Sequence, residues 1–570
     1  VPARSSPTSN AIERADHVPL PVTLTFLGGL GEIGRNCTCV EVGDDLVLID
    51  CGLMFPGPDM PGVDLVLPDF TYVIERADRL RGIVLTHGHE DHVGGLAYLL
   101  REVSAPLYGS AFTLGLARNR IEEAGLLGRT SFNPTADGSR VQIGAIECEF
   151  LATTHSVPSG QALVLRTPQG VILHSGDFKL DTTPVDGRRP DLARMGAIAH
   201  GEGVRVLLAD STNADESGWS RSESSVGRVL YELFHEHEGR RLITACFASH
   251  IHRIQQIADA AIEHGRVVAT LGISMRRNIR MARDLGLLDI PESSLVDIED
   301  VKDLPPGKVC VVSTGSQGEP MSALSLMASN QSKWIRIGAD DTVILSSTPI
   351  PGNEHHVGRV INGLTKLGAE VVHSGIADVH ASGHAQREEL KLFQTLIGPS
   401  WFVPVHGEHR HLVAHADLAE AVGQDPDRIL VCEDGDQLTL DDDGLHRSGR
   451  VSAGYLYVDG IVGDVGQGVL RDRKVLAEEG VVVVIVAVDL AARSIVTGPE
   501  LITRGWVYAP EAEDLLDEAV DVVREQVLDA LDAGTEDVEL LAQRIRRAAG
   551  RFVNERTRRR PMIVPVVLEV

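Results

Sequence analysis

Aromatic side chains are scarce in this chain, at 4% of 570 residues, so its cores must be aliphatic. Cysteine is thin as well. The seven cysteines are odd in number, scattered and without a CxxC pair, which argues against a disulfide framework and fits a reducing compartment. Long apolar runs are missing. The longest, Val481 to Val488, is far too short to cross a bilayer. No signal-peptide pattern is read, so a cytoplasmic protein with no membrane association is expected. Positive charge is in deficit, with 53 Lys and Arg against 81 Asp and Glu and a net charge of -28. That balance argues against indiscriminate nucleic-acid binding, which favours a basic chain, but leaves room for a local basic channel.

What the chain does have is metal-binding chemistry concentrated at Thr86-His87-Gly88-His89-Glu90-Asp91-His92. The apolar run Gly82 to Leu85 before it reads as a buried strand, and Val93 to Leu100 after it as a helix. The cluster therefore falls at the carboxyl end of a strand, where open α/β sheets place their ligands. Imidazole and carboxylate suit zinc or manganese. Histidines and carboxylates at this spacing have no ordinary packing use.

Length predicts about three domains. Residues 1–20 lack periodicity and read as a disordered tail. Gly28 to Gly34 contains a GxGxxG match, but Asn36 to Val42 alternates as a strand where a dinucleotide fold needs a helix, so strand-turn-strand is expected. Asp45 to Ile49 is another strand, ending at Asp50. That carboxylate is either a turn residue or an acceptor that orients a ligand histidine through its second N–H.

The delivery pattern recurs. Phe150 to Thr154 runs into His155, Gly170 to His174 into Ser175-Gly176-Asp177, and Trp401 to Val405 into His406. The ligand count points to two divalent ions. His87, His89 and His155 can serve one, Asp91, His92 and His406 the other, with Asp177 bridging. Ions roughly 3.5–4 Å apart activate water and stabilise in-line displacement at phosphorus.

Asp50, the HxHxDH cluster, His155 and Asp177 resemble the successive motifs of the metallo-β-lactamase superfamily. Leu207 to Asn213, Val379 to His384 and Pro404 to Glu408 resemble motifs A, B and C of the β-CASP nucleases. Gly28 to Asn36, Ser313 to Pro320 and Ile350 to Glu354 are similar to stretches of bacterial ribonuclease J. The resemblance covers about residues 20–570. It implies an α/β fold: a metallo-β-lactamase αββα sandwich with an inserted α/β β-CASP domain and a small α+β C-terminal domain. The implied division is 21–214 and 376–450 for the lactamase part, 215–375 for the insert, 451–467 for a linker and 468–570 for the C-terminal domain. Helical periodicity over Val229 to Glu238 and Arg253 to Glu263, with strands at Leu242 to Cys246, Val267 to Thr270 and Lys308 to Ser313, fits the insert.

The implied activity is 5′→3′ exonuclease and endonuclease cleavage of single-stranded RNA, preferring 5′-monophosphate ends, in RNA processing and decay. Asp210 and His384 resemble the pair that holds the scissile phosphate and protonates the leaving oxygen, with Asp91 the third catalytic expectation. His380, Ala381, Ser382 and Gly383 resemble a phosphate grip, and Ser249 and His250 a site for a neighbouring phosphate. A structural calcium or magnesium is a further expectation, on Asp459 and carbonyls near Met60 and Gly62; Asp459 reads equally as a turn residue. In the C-terminal part, paired strands at Gly480 to Leu490 and Arg493 to Val496, helices at Glu511 to Asp532 and Val538 to Arg556, and a strand at Ile563 to Val570 are read. The resemblance implies a homodimer there, with other RNA-decay proteins as partners. The arginines from Arg544 to Arg560 are either a solvated helix face or an RNA-tracking patch. The rival readings are a DNA-processing β-CASP nuclease, a small-molecule metallo-hydrolase and a binding protein with a dead site.

Overall fold

The computed structural model describes residues 19–57, 59–350, 353–460, 463–507 and 512–570. The tail expected at 1–20 is outside these up to residue 18, as are Pro351 and Gly352 of the Ile350–Glu354 stretch, 461–462 of the expected linker, and Glu511. The chain forms two compact units, one of residues 1–54 and 67–455, the other of Phe55–Val66 and Leu456–Val570.

The first unit holds two facing sheets. One orders its strands Gly444–Arg450, Asp436–Asp441, Val22–Gly28, Cys37–Val42, Asp45–Ile49, Leu80–Val84, Leu107–Gly109 and Phe132–Pro134. The other orders Trp401–Val405, Val204–Asp210, Gly170–His174, Gln161–Thr167, Ile146–Ala152 and Arg140–Ile143. Their inner faces interlock through Phe26, Val40, Val47 and Val84 against Phe150, Leu163, Ile172, Leu208 and Val403. The alternate residues Leu151, Val164, Leu173, Leu207 and Phe402 point the other way. They pack on helices Leu192–Gly201, Arg387–Ile397 and His409–Ala421 through Met195, Ile198, Leu390, Phe393 and Leu418. Covered on both faces, Val204–Asp210 is buried at all but one position, as strands between two layers must be.

Between residues 241 and 372 the chain builds a separate six-stranded sheet, all parallel, in the order Leu295–Val296, Val267–Leu271, Val309–Ser313, Arg241–Ala245, Asp341–Leu345, Glu370–Val372. Helices cover both faces. Glu223–Glu236, Ile251–Glu263 and Ile273–Asp284 supply Leu230, Phe234, Ile257 and Ile279 to one side. Ala323–Ala328 and Glu354–Lys366 supply Leu324, Met327, Val360 and Leu364 to the other.

In the second unit the central strand Val481–Asp489 pairs antiparallel with Ser494–Arg504 and parallel with Met562–Glu569. Helices Glu513–Asp532 and Val538–Thr557 cover one face, where Val482, Val484 and Val486 meet Val523, Val527, Leu541 and Ile545. Among the described residues no helix is long and apolar enough to cross a membrane.

Two local expectations change. The helix read over Val93 to Leu100 is broken into Glu90–Val93 and Leu96–Glu102. A Cβ on Gly95 would stand 2.7 Å from the Gly52 carbonyl and one on Gly94 2.5 Å from Leu53; the glycines let this turn press against the 51–53 loop. The stretch read as a linker contains strand Tyr455–Asp459 and the start of helix Gln467–Glu478. That helix buries no residue, which is why apolar periodicity did not announce it.

Candidate metal centre

The turn after Leu80–Val84 turns its histidines inward. His89 is the N-cap residue of the Glu90–Val93 helix, with extended backbone. The strand ends anticipated elsewhere converge on it. His87, His89, His155 and Asp177 form one group and Asp91, His92, Asp177 and His406 another, with the ligand atoms of each group all within 4.8 Å of one another. His89 Nδ1 lies 3.0 Å from His87 Nε2 and 3.1 Å from His155 Nε2. Asp177 Oδ2 is 3.3 Å from His92 Nε2, 3.6 Å from both His87 and His406 Nε2, and 3.8 Å from His155 Nε2. His406 Nε2 lies 3.3 Å from Asp91 Oδ2.

These separations test the fit to metal. Ligands 2.0–2.1 Å from a tetrahedral zinc stand about 3.3 Å apart, and the observed spacings cluster around that value. The groups are imidazole nitrogens and carboxylate oxygens, the donor set of zinc and manganese. Asp177 belongs to both groups, as a bridging carboxylate would.

The far sides of the rings are held. His92 Nδ1 donates to Asp50 Oδ2 at 2.7 Å, and Thr86 donates to Asp50 from both N and Oγ1 at 2.8 Å. His155 Nδ1 donates to the Gly383 carbonyl at 2.7 Å. His406 Nδ1 is 2.7 Å from Thr212 Oγ1. Such bonds leave Nε2 of each ring turned into the cluster, where it could ligate an ion. Asp50 and His406 both adopt positive φ, 58° and 54°, a conformation that costs energy in a non-glycine residue and clusters at functional sites.

Electrostatics divide the ligands. Burial, reinforced by neighbouring imidazoles, pushes His87 and His155 well below the usual histidine range, and burial brings His89 down to about 4. These rings are neutral and ready to ligate. Burial also opposes charge on His92 and His406, but the carboxylates around them, Asp177 foremost, outweigh it and hold both well above that range. Asp177 is held well below the usual carboxylate range, because His406, His92 and His87 overcome its burial. A divalent ion would take over from those protons.

Beside the cluster, His384 Nδ1 donates to Asp210 Oδ2 at 2.7 Å. Burial opposes a charge on His384, and Asp210 outweighs it and raises its pKa. Asp210 is fixed in turn by Thr212, whose N and Oγ1 donate to Oδ1 at 3.0 and 2.8 Å.

The chain matches the family descriptions "Metallo-beta-lactamase superfamily" over residues 30–226, "Ribonuclease J, beta-CASP domain" over 239–364, "Zn-dependent metallo-hydrolase RNA specificity domain" over 368–429 and "Ribonuclease J C-terminal domain" over 468–570. It is 44% identical over 559 residues to "Ribonuclease J" of Thermus thermophilus, covering 96% of this chain and 95% of that one. It is 39% identical over 551 residues to "Ribonuclease J 1" of Streptococcus pyogenes, covering 96% and 98%. The chain belongs to the ribonuclease J family. It is a metal-dependent nuclease on a metallo-β-lactamase scaffold, with the family's insert and C-terminal domain. A solved structure of a protein of unknown function from Enterococcus faecalis V583, at 15% identity, covers 74% of this chain and 100% of its own with a TM-score of 0.53. It shows the shared fold.

The remaining expected residues of this ribonuclease J family member are also placed. Ser382 Oγ accepts from Asn213 Nδ2 at 2.8 Å, and Gly383 lies against His155. His380 is half-buried beside Ala381. Ser249 is partly exposed, whereas His250 is 1% exposed and caps the Ile251–Glu263 helix through Nδ1. At the residues expected to hold a structural cation, Arg473 donates to the Gly62 carbonyl and to Asp459 Oδ2, both at 2.8 Å. Met60 takes part only through its backbone, accepting from Val63 N and donating to Gly57 O.

Several residues escaped the sequence reading. Asn36 Nδ2 lies 3.1 Å from His92 Nε2 and donates to the Asp91 carbonyl. Thr212 and Asn213 hold Asp210, His406 and the loop at Ser382. All three lie inside the Gly28–Asn36 and Leu207–Asn213 stretches, but neutral amides and hydroxyls carry no metal-ligand signature to single them out. Gly383 has its own consequence. A Cβ there would lie 2.6 Å from His155 Cε1, so Gly383→Ala is expected to displace that ring. Metal content measured after dialysis should fall together with activity; a variant holding the wild-type metal complement would show that the ring has room to yield.

Proposed function

We propose that two divalent ions, zinc or manganese, bind this chain, one through His87, His89 and His155 and one through Asp91, His92 and His406, with Asp177 shared, and that the site cleaves single-stranded RNA by 5′→3′ exonuclease and endonuclease action. The observation that carries this is the convergence of both ligand groups beside the Asp210–His384 pair. Bound ions supply an activated water and charge neutralisation at phosphorus.

The chain's own residues do the rest. Asp91 completes the second ligand group. Asp210, bonded to His384 Nδ1, keeps that imidazole charged, with Nε2 left to donate a proton to the departing 3′-oxygen. Ser382, His380 and the backbone of Ala381 and Gly383 grip the phosphate being cut, and Ser249 and His250 take the neighbouring one at the 5′ end. His380 Nδ1 supports this: it is a buried polar nitrogen without a hydrogen-bond partner, and such a group calls for a ligand or water.

A homodimer fits the second unit. The sheet face away from its helices presents Val483, Ile485, Ile502, Val564, Val566 and Leu568, with Leu568 52% and Ile502 39% exposed. Apolar patches of that kind mark interaction surfaces.

The test is 5′-labelled single-stranded RNA and its DNA counterpart, given to metal-stripped protein with zinc, manganese and magnesium added back separately. RNA cut only with metal restored is expected, and RNA left whole under every ion would sink the reading. RNA with a 5′-monophosphate is expected to be degraded faster than its triphosphate form. Equal rates would remove the 5′-end assignment of Ser249 and His250.

A further inference from the structure

Away from the metal ligands the first unit buries a second set of charges. Arg253, on the Ile251–Glu263 helix, is 0% exposed, and Glu223, opening the Glu223–Glu236 helix, is buried too. Arg253 Nε donates to Glu223 Oε1 at 2.7 Å. Its Nη1 reaches three oxygens: Ser346 O at 3.0 Å, Ser346 Oγ at 2.6 Å and Val379 O at 2.7 Å. Ser346 Oγ also donates to Val379 O at 2.7 Å.

Val379 directly precedes the His380–His384 loop. The root of that loop is thus gripped by two donors from the inserted domain. Its far end is held by the lactamase part, where Asn213 Nδ2 donates to Ser382 Oγ and His384 O, and Ala385 N donates to Phe178 O at 2.7 Å. The network also continues behind Glu223, whose N donates to Asp181 Oδ2 at 2.9 Å. Asp181 lies in the loop that follows Asp177. Buried polar contacts therefore run from the loop after the bridging carboxylate, through Asp181, Glu223 and Arg253, to the start of the phosphate loop.

Stability alone does not call for this pair. Desolvation offsets the attraction between two buried charges, and shape-matched apolar residues often hold a fold as well. A guanidinium does something they cannot, because its planar set of donors fixes several acceptors at once. We propose that the Arg253–Glu223 pair is a positioning element for RNA cleavage, setting the root of the His380–His384 loop against the metal cluster. This rests on the reading of that loop as the phosphate grip. None of the Arg253 bonds reaches a metal ligand. The loop touches the cluster only at its far end, where the Gly383 carbonyl meets His155 Nδ1 and Asn213 separately holds Ser382 and His384. A shift at the root therefore falls on the phosphate grip first, and hydrolysis of a small diester that needs no grip depends on it far less.

The experiment compares RNA with bis(p-nitrophenyl) phosphate in the full-length, metal-loaded protein. Arg253→Met is expected to lower kcat/KM on RNA about 10- to 100-fold, the scale of a loop misplaced by an ångström. Turnover of the small diester and metal content should stay within about twofold, by the same separation from the metal cluster. Arg253→Lys should rescue little, since an ammonium cannot span these acceptors. The Glu223→Leu/Arg253→Met double variant should keep the wild-type melting temperature and remain slow on RNA. If Arg253→Met does not fold, Ser346→Ala serves instead and should slow RNA cleavage severalfold. Wild-type RNA cleavage in the folded variant, or parallel loss of both substrates, would overturn the proposal. Wild-type protein that turns over the diester and leaves RNA whole would instead overturn the ribonuclease reading beneath it.

Discussion

Asp177→Asn abolishes RNA hydrolysis and strips metal from a folded protein: this is the largest effect expected of any single change here. The substitution keeps the shape of the side chain and removes its charge. Asp177 Oδ2 lies within 3.8 Å of the Nε2 atoms of His87, His92, His155 and His406, and no other carboxylate stands in both ligand groups. Two-ion catalysis supplies several kcal/mol of transition-state stabilisation. At roughly 1.4 kcal/mol for each tenfold, its loss lowers turnover by at least about a thousandfold. Elemental analysis after dialysis should find fewer than two ions per chain, while circular dichroism remains that of wild type. A variant that keeps both ions and cleaves RNA within tenfold of the wild-type rate would dismiss Asp177 as the shared ligand.

The same residue shows what could be read from the sequence. Asp177, His155 and His406 each follow an apolar strand, and a strand end in an α/β fold has a defined place at one edge of the sheet. The six-residue cluster at His87 to His92 needed less, because its ligands are local. Pairings such as Leu24 with Leu438 were not legible: periodicity gives the face a residue occupies, not which distant strand lies beside it. Nor was Arg253. An arginine on an amphipathic helix ordinarily faces water, and only the fold reveals that this one is sealed at the root of the His380–His384 loop. The partner of Asp459 was illegible for a related reason. A carboxylate near backbone carbonyls attracts positive charge, but the sequence does not say that Arg473 is near enough to supply it.

His384→Ala tests the step that metal ligation leaves open, the departure of the 3′-oxygen. The imidazole is 20% exposed at its side chain and hydrogen-bonded to Asp210 through Nδ1, so the ring nitrogen available to substrate is Nε2. A positioned general acid is worth about 10²- to 10⁴-fold, roughly 3–5 kcal/mol. The variant should therefore lose that much in single-turnover rate. Its RNA affinity should change only severalfold, because Ser382, His380 and the loop backbone remain, and Asp210 keeps its bonds from Thr212. The role can be isolated chemically. With sulfur in place of the bridging 3′-oxygen the leaving group needs no proton, and the alanine variant should cleave that linkage nearly as fast as the wild type. If it remains equally defective on the sulfur substrate, His384 grips the phosphate rather than protonating the leaving group, and the Asp210 contact serves only to aim that grip.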